Sequence, residues 1–368
     1  MAKKKILFIL HVPPPIHGSS IVGEQLMKSK LINTYFNSDY INLGTSSEIS
    51  DIGGWNYNKT RKYLGIIFSI LKRIIFTRYD QVYLAPTVSG VGFYKDFVIV
   101  SIIKLFQKNL IFHLHNKGVV FKNNNIINSY LHKFFFNGVD VILLSKLLYE
   151  DIQEFVPEAK IYICPNGIEA RDNLEWNIVN KRKNKIPVIL FLSNLIESKG
   201  VFTLLDSCKI LKDQEVSFMC YLVGGEGDIS KSDLERKIKK FDLCNHVVYL
   251  GKKYGNEKDE IFLNSDIFAF PSYYKNECFP LVCLEALQYS IPLISTNEGG
   301  IPDIVESDIN GYIVPKNNPV ELAVKLRDLI INERLRVELG ARGRNKFLDN
   351  YTLAHFEKNM LSILIHLS

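Results

Sequence analysis

Nowhere in the 368 residues does an apolar run reach the roughly eighteen that a membrane-crossing helix needs, so no spanning helix is expected. No repeat of fixed period and no low-complexity tract stands out. The six cysteines (164, 208, 220, 244, 278 and 283) contain no C-x-x-C pair and mostly sit inside apolar runs. They read as reduced core residues of a cytosolic protein. The opening KKKILFILHVPPP imitates a secretion signal, but its apolar run includes His11 and ends in three prolines without a small-residue cleavage site. It reads as a first strand.

What is present is an ordinary globular composition, 47% hydrophobic and 23% charged. The chain exceeds the ~250–300 residues at which single cores stop growing, so two domains are expected. Charge is unevenly divided. Residues 1–150 hold 18 Lys+Arg against 8 Asp+Glu, whereas residues 151–368 hold 27 against 31, so the halves meet different partners. Apolar runs of strand length (KILFILHV, YINLG, QVYLAP, NLIFHLH, VDVILLS, KIYICP) alternate with segments of helical spacing at 20–32, 59–77, 94–107 and 146–155. After the polar, basic NLEWNIVNKRKNK the alternation resumes with VILFLSN, FMCYLVGG, VVYLGK, DIFAFPS, IPLIST and GYIVP. Near-continuous apolar strands separated by helices predict parallel sheets covered on both faces. The expected organisation is a first domain over 1–172, a linker at 173–185, a second domain over 186–351 and a terminal helix, 352–368, packing back on the first domain. Ligands bind such sheets at the carboxyl ends of the strands, where PPPIHGSS, HNKG, NLIESKG, GGEGD and SYYKNE fall.

The stretch ECFPLVCLEAL sets Glu277 and Glu285 eight residues apart around an apolar run. Pro280 suits a first helical turn, which predicts a helix beginning near Phe279 with Glu285 inside it. Apolar residues on several sides imply burial, and a buried carboxylate needs a partner. A lysine or arginine is the plainer candidate; a ligand hydroxyl is the other.

Six blocks in order, CPNGIE (164–169), FLSNLIESKG (191–200), YLVGGEGD (221–228), VVYLGKK (247–253), FPSYYKNECFPLVCLEAL (270–287) and STNEGGIPDIVESDINGYIV (295–314), resemble those of glycosyltransferase family 4. The first half matches thinly, through HGSS (17–20), HLHNKG (113–118) and Ser145. The resemblance implies an α/β chain of GT-B fold, two Rossmann-like doubly wound parallel-sheet domains facing across a cleft. It also implies a retaining hexosyltransferase that takes a UDP- or GDP-linked sugar and works in surface polysaccharide biosynthesis.

Carried over residue by residue, the resemblance implies that Lys199 meets the donor diphosphate, Glu277 the donor sugar and Glu285 the ribose. A lysine at a helix start suits an anion, and carboxylates accept hydroxyls without being neutralised. Asn194 stands where the family has an arginine, leaving one cation where two are usual. Cys278 and Pro280 replace two glycines of the commoner loop, so the amides of Phe279 and Leu281 become the donors to the ligand. Gly224, with Gly225 and Gly227, would let backbone approach the nucleotide, although a turn after a strand accounts for them equally. In the first domain, Gly18 would lie against the diphosphate and acceptor. His115, ending the fourth strand, would meet the donor sugar or acceptor as a neutral imidazole, while His113 serves as a core histidine.

No D-x-D occurs, so no metal and no cofactor are expected, and the chemistry falls to positioning and charge, with Lys199, Glu277 and His115 as the catalytic candidates. Two rivals stay open: a GT-B nucleotide-sugar epimerase, and a non-catalytic scaffold or sugar-binding subunit. Nucleic acid is not an expected partner, since no reading motif accompanies the basic residues. The segment KTRKYLGIIFSILKRIIFTR (59–78) reads either as a helix covering the sheet or as a contact with an anionic membrane surface. The second reading suits a glycan or polyprenyl-linked acceptor and a cytoplasmic protein peripheral to the inner face of the cell membrane.

Overall fold

A computed structural model describes residues 3–45, 57–106, 109–120, 126–171, 174 and 184–368. The expected linker at 173–185 lies almost wholly outside the described residues. The chain divides into two compact units: residues 1–166 with 354–368, and residues 167–353.

The first unit is built on six parallel strands, β1 (Lys5–Leu10), β2 (Asn37–Asn42), β3 (Gln81–Leu84), β4 (Leu110–Leu114), β5 (Asp140–Leu143) and β6 (Ile161–Ile163), ordered β2-β1-β3-β4-β5-β6. Ile6 to Leu10 and Leu110 to Leu114 are buried without a break, which is why these runs carry no polar alternation. The first three crossovers run through α1 (Gly18–Lys28) and α2 (Lys30–Tyr35), α3 (Tyr57–Phe76) and α4 (Gly90–Phe106). The fourth is α5 (Ile126–Phe136). The single helix expected over 20–32 is broken at Ser29, whose extended backbone lets its hydroxyl cap α2 through the Ile32 amide. The helix expected over 146–155 is a short 3₁₀ turn, Lys146–Asp151. There the Asp151 carboxylate accepts from the amides of Gly118, Val119 and Val120 at 2.8, 3.1 and 3.2 Å, so the turn serves the neighbouring loop.

The second unit carries β7 (Val188–Leu192), β8 (Met219–Val223), β9 (Val247–Gly251), β10 (Ile267–Phe270), β11 (Leu293–Thr296) and β12 (Gly311–Val314), ordered β12-β11-β10-β7-β8-β9 and all parallel. The order reverses between β7 and β10, the place where open α/β sheets leave a crevice at their carboxyl ends. Its helices are α6 (Val201–Asp213), α7 (Lys231–Lys240), α8 (Gly255–Leu263), α9 (Leu281–Gln288), α10 (Ile301–Ile304), α11 (Pro319–Ile331) and α12 (Glu333–Asn350). The terminal helix α13 (Leu353–His366) buries Phe356, Met360 and Leu364, and the Gln81 amide of β3 donates to the Leu364 carbonyl at 3.0 Å. Among the described residues, no helix is long and apolar enough to cross a membrane.

Candidate active site

Two loops meet at the strand reversal of the second unit. The loop after β7 makes a 3₁₀ turn, Glu197–Lys199, and then Gly200, which caps α6 with φ +90°. A Cβ on Gly200 would lie 2.2 Å from the Pro271 carbonyl oxygen, so only glycine allows this approach to the loop after β10. The Tyr273 amide completes the tie by donating to the Ser198 carbonyl at 2.7 Å. The result is to set Lys199 beside Glu277, although 78 residues separate them.

Lys199 Nζ donates to Glu277 Oε2 at 2.6 Å, and Ser272 Oγ donates to the same oxygen at 3.2 Å. The two charged side chains are only 15% and 9% exposed. The ammonium also lies 4.6 Å from the Tyr274 ring centroid and 5.6 Å from that of Phe270, on the electron-rich faces that attract cations. An ammonium has three N–H donors, and Glu277 uses one.

The helix bearing Glu285 begins at Leu281, two residues later than expected. Pro280 stands at its N-cap with extended backbone (φ −69°, ψ 120°), which keeps Phe279 outside the helix. Phe279 is buried edge-on against Tyr351, and Leu281 opens the helix, whose first N–H groups have no carbonyl partner within it. Glu285 Oε1 accepts from Lys258 Nζ at 2.6 Å, while Oε2 is buried with no partner. Both acids therefore pair with lysine, the plainer of the two partners, and Glu285 keeps one acceptor to spare. A third acid, the buried Glu298 of STNEGG, pairs with Lys316 at 2.7 Å. Neither Lys258 nor Lys316 carried a local signal in the sequence.

Asn194 Oδ1 accepts from the Gly225 amide at 3.4 Å, so this side chain braces the glycine turn after β8. Gly224, at φ +150°, would set a Cβ 1.7 Å from the Ser193 carbonyl oxygen. Its neighbours in the chain demand glycine there, without reference to a ligand.

In the first unit, histidines gather at the carboxyl ends of β1 and β4. His115 lies 4.1 Å ring to ring from His113, whose Nδ1 meets the Tyr83 hydroxyl at 2.5 Å. His113 is fully buried and its Nε2 has no partner. Burial, with the His11 and His17 rings nearby, pushes His115 down to about 3. Burial likewise pushes His11 down to about 4 and lowers His17. These imidazoles are neutral at physiological pH. His17 caps α1 through Nδ1 and the Ser20 amide at 3.4 Å, and next to it a Cβ on Gly18 would meet nothing within 4 Å. Neither His11 nor His17 was singled out from the sequence, though HVPPPIH spaces them about the first loop. Among the described residues no group of three or more His, Cys, Asp or Glu could hold a metal ion.

Residues 172–346 match the family model of glycosyl transferases group 1. An uncharacterized glycosyltransferase of Methanocaldococcus jannaschii is 29% identical over 235 residues, 63% of this chain and 61% of that protein. The capsular polysaccharide biosynthesis glycosyltransferase CapM of Staphylococcus aureus is 27% identical over 231 residues, 59% of each. The matched stretch thus spans about three-fifths of these relatives. The crystal structure of Anabaena Alr3699/HepE in complex with UDP superimposes with a TM-score of 0.75 at 17% identity, covering 99% of this chain and 100% of that one. The two parallel six-stranded sheets are those of the GT-B fold, and residues 172–346 are similar to the glycosyl transferases group 1.

Proposed function

We propose that the protein is a retaining glycosyltransferase that moves a sugar from a nucleotide-diphosphate donor, UDP- or GDP-linked, to a glycan or lipid-linked glycan in surface polysaccharide biosynthesis. The observation that carries this reading is the pairing of Lys199 with Glu277 at the strand reversal, with the spare Glu285 oxygen on the helix that follows. Lys199 has donors to offer a diphosphate and Glu277 accepts a sugar hydroxyl. Glu285 Oε2, unpartnered in a buried position, would accept from a ribose hydroxyl, which removes the cost of leaving it dry. UDP bound to the Anabaena protein and the capsular role of CapM support a UDP-linked donor and a polysaccharide product.

In the reaction, the acceptor oxygen attacks the anomeric carbon on the face from which the phosphate departs. The carbon–phosphate oxygen bond breaks as the new glycosidic bond forms, and the acceptor proton passes to a departing phosphate oxygen. Lys199 stabilises the charge growing on that leaving group, Glu277 orients the sugar, and His115, neutral, hydrogen-bonds donor or acceptor in the first unit. Within the second unit the Leu281 and Phe279 amides complete the donor site, with Asn194 keeping its turn in place. No metal takes part, and the enzyme works in the cytoplasm, at the inner membrane face when its acceptor is lipid-linked.

The test is a thermal-shift screen with UDP, GDP and their sugars, followed by transfer assays with product anomers assigned by NMR. A nucleotide at 100 times its dissociation constant adds ~2.7 kcal/mol of stability. Turnover should survive excess chelator and keep the donor's anomeric configuration; an inverted product, or activity restored only by a divalent ion, refutes the mechanism. Donor binding without turnover would favour a scaffold, and sugar conversion without acceptor an epimerase.

A further inference from the structure

The outward face of the first unit's helical layer departs from what a soluble α/β domain presents. Half of the exposed large apolar side chains among the described residues, 14 of 28, sit on α3, α4 and α5, which together hold 48 residues. Scattered exposed apolar residues are ordinary; a contiguous field of them marks an interaction surface.

The three helices form one layer. In the order β2-β1-β3-β4-β5 the crossovers through α3, α4 and α5 all step the same way along the sheet, so right-handed connection puts them on one face. Side chains join them edge to edge. Tyr63 of α3 donates to the Lys95 carbonyl of α4 at 2.7 Å, and Lys104 of α4 donates to the Phe134 carbonyl of α5 at 2.6 Å. Tyr94 of α4 donates to Asn128 of α5 at 3.1 Å.

Each helix has a second apolar stripe besides the one that packs on the sheet. In α4, Phe93, Ile99, Val100 and Ile103 are buried, while Val91, Tyr94, Val98 and Leu105 recur at helical spacing on the exposed side. In α3 the buried side holds Ile70 and Ile74, and the outer stripe reads Arg61, Leu64, Phe68, Lys72, Ile75. In α5 the outer residues are Ile126, Ile127, Tyr130, Lys133 and Phe134.

The charge on this face has one sign. The three helices contain no glutamate and a single aspartate, Asp96, which is buried and accepts from the Thr87 amide at 2.7 Å. Of the basic residues, Arg73 is engaged by Asp39 at 2.9 Å and Lys104 by backbone carbonyls, whereas Arg61, Lys62, Lys72 and Lys133 are exposed. We propose that the α3–α4–α5 face docks on an anionic lipid bilayer, with its apolar stripes entering the headgroup boundary and these four cations meeting lipid phosphates. A second copy is a poorer occupant, because a twofold interface would set the same cations against one another. The proposal rests on the membrane-facing part of the functional reading and not on the donor site.

The test is co-sedimentation of the full chain with vesicles of phosphatidylcholine alone and with about a third phosphatidylglycerol, at low and high salt. The protein should pellet with the anionic vesicles at low salt, at least tenfold more than with the neutral ones. Phe68 and Leu105 are 70% and 78% exposed, so Phe68→Glu with Leu105→Glu should leave the melting temperature unchanged and lower binding at least tenfold. Lys62→Glu with Lys72→Glu should do the same through charge alone. Equal recovery of the wild type in the supernatant with both vesicles overturns the proposal, as does variant binding at the wild-type level. A lipid-free dimer that Phe68→Glu with Leu105→Glu dissociates assigns the face to a second copy instead. Nucleotide-induced thermal shifts on the same preparations report separately on the donor reading.

Discussion

Removing one member of the Lys199–Glu277 pair tests the site most directly. Breaking a buried ion pair costs ~3–5 kcal/mol, mostly from the charge left behind. Here the lower end applies, because Glu277 retains the Ser272 hydroxyl bond and neither side chain is wholly enclosed. Lys199→Met should thus cost ~3 kcal/mol, which for a unit of this size lowers the melting temperature by about 6–12 °C. Glu277→Gln should cost a comparable amount by stranding the ammonium. The double variant removes both charges and should recover at least half the sum, with the remainder reflecting the lost contact of the ammonium with Tyr274, which Glu277 does not influence. Calorimetry without nucleotide gives the three melting temperatures, and sugar transfer is measured on the same samples. Transfer should fall at least tenfold in each, ~1.4 kcal/mol at the barrier, with no recovery in the double variant. Strictly additive stabilities, or single variants melting with the wild type, would refute the pair as a buried couple; near wild-type transfer would move the chemistry elsewhere.

Other expectations concern pH and glycine. His11 and His115, held at about 4 and 3 against the ordinary 6.5, bind protons more readily in the unfolded chain, so their stability is complete above about pH 6.5 and is lost as pH falls through about 4. Near pH 5 each should cost ~1–2 kcal/mol, and the lowered His17 and His113 act in the same direction. Asp96, pushed up to about 6 by burial, acts oppositely and returns ~1 kcal/mol. Thermal unfolding should therefore show a lower melting temperature at about pH 5 than at about pH 7.5, and the reverse order would contradict the histidine assignment. Gly224→Ala, which drives a methyl into the Ser193 carbonyl, should cost ~3 kcal/mol by denaturant unfolding, whereas Gly18→Ala should be neutral for stability and weaken nucleotide or acceptor binding in titration calorimetry.

The sheets were legible because parallel strands buried on both faces leave uninterrupted apolar runs such as VILFL and IFAF. Helix limits were less legible, since they depend on single caps: Ser29 divides one expected helix, and the extended backbone of Pro280 delays another. At the candidate site, Glu277 and Glu285 stood out by their spacing around an apolar run, and Lys199 through the family resemblance. Their relationships did not, because Lys199 reaches Glu277 across 78 residues and Lys258 reaches Glu285 across 27, distances set by strand order rather than by any local pattern. The glycine turn after β8 was ambiguous for a related reason. A close approach to one's own backbone and a close approach to a ligand select the same residue.

The first unit is discontinuous in the chain, and this has a consequence for biosynthesis. Its strands and crossover helices are all synthesised by Asn166, yet the helix that covers Gln81 and buries Phe356, Met360 and Leu364 arrives only after the whole second unit. At about 5–20 residues per second that gap of about 200 residues lasts roughly 10–40 s. During it the nascent first unit lacks the helix that fills its seat for α13, so this half of the fold is completed in two stages separated by synthesis of the whole second unit.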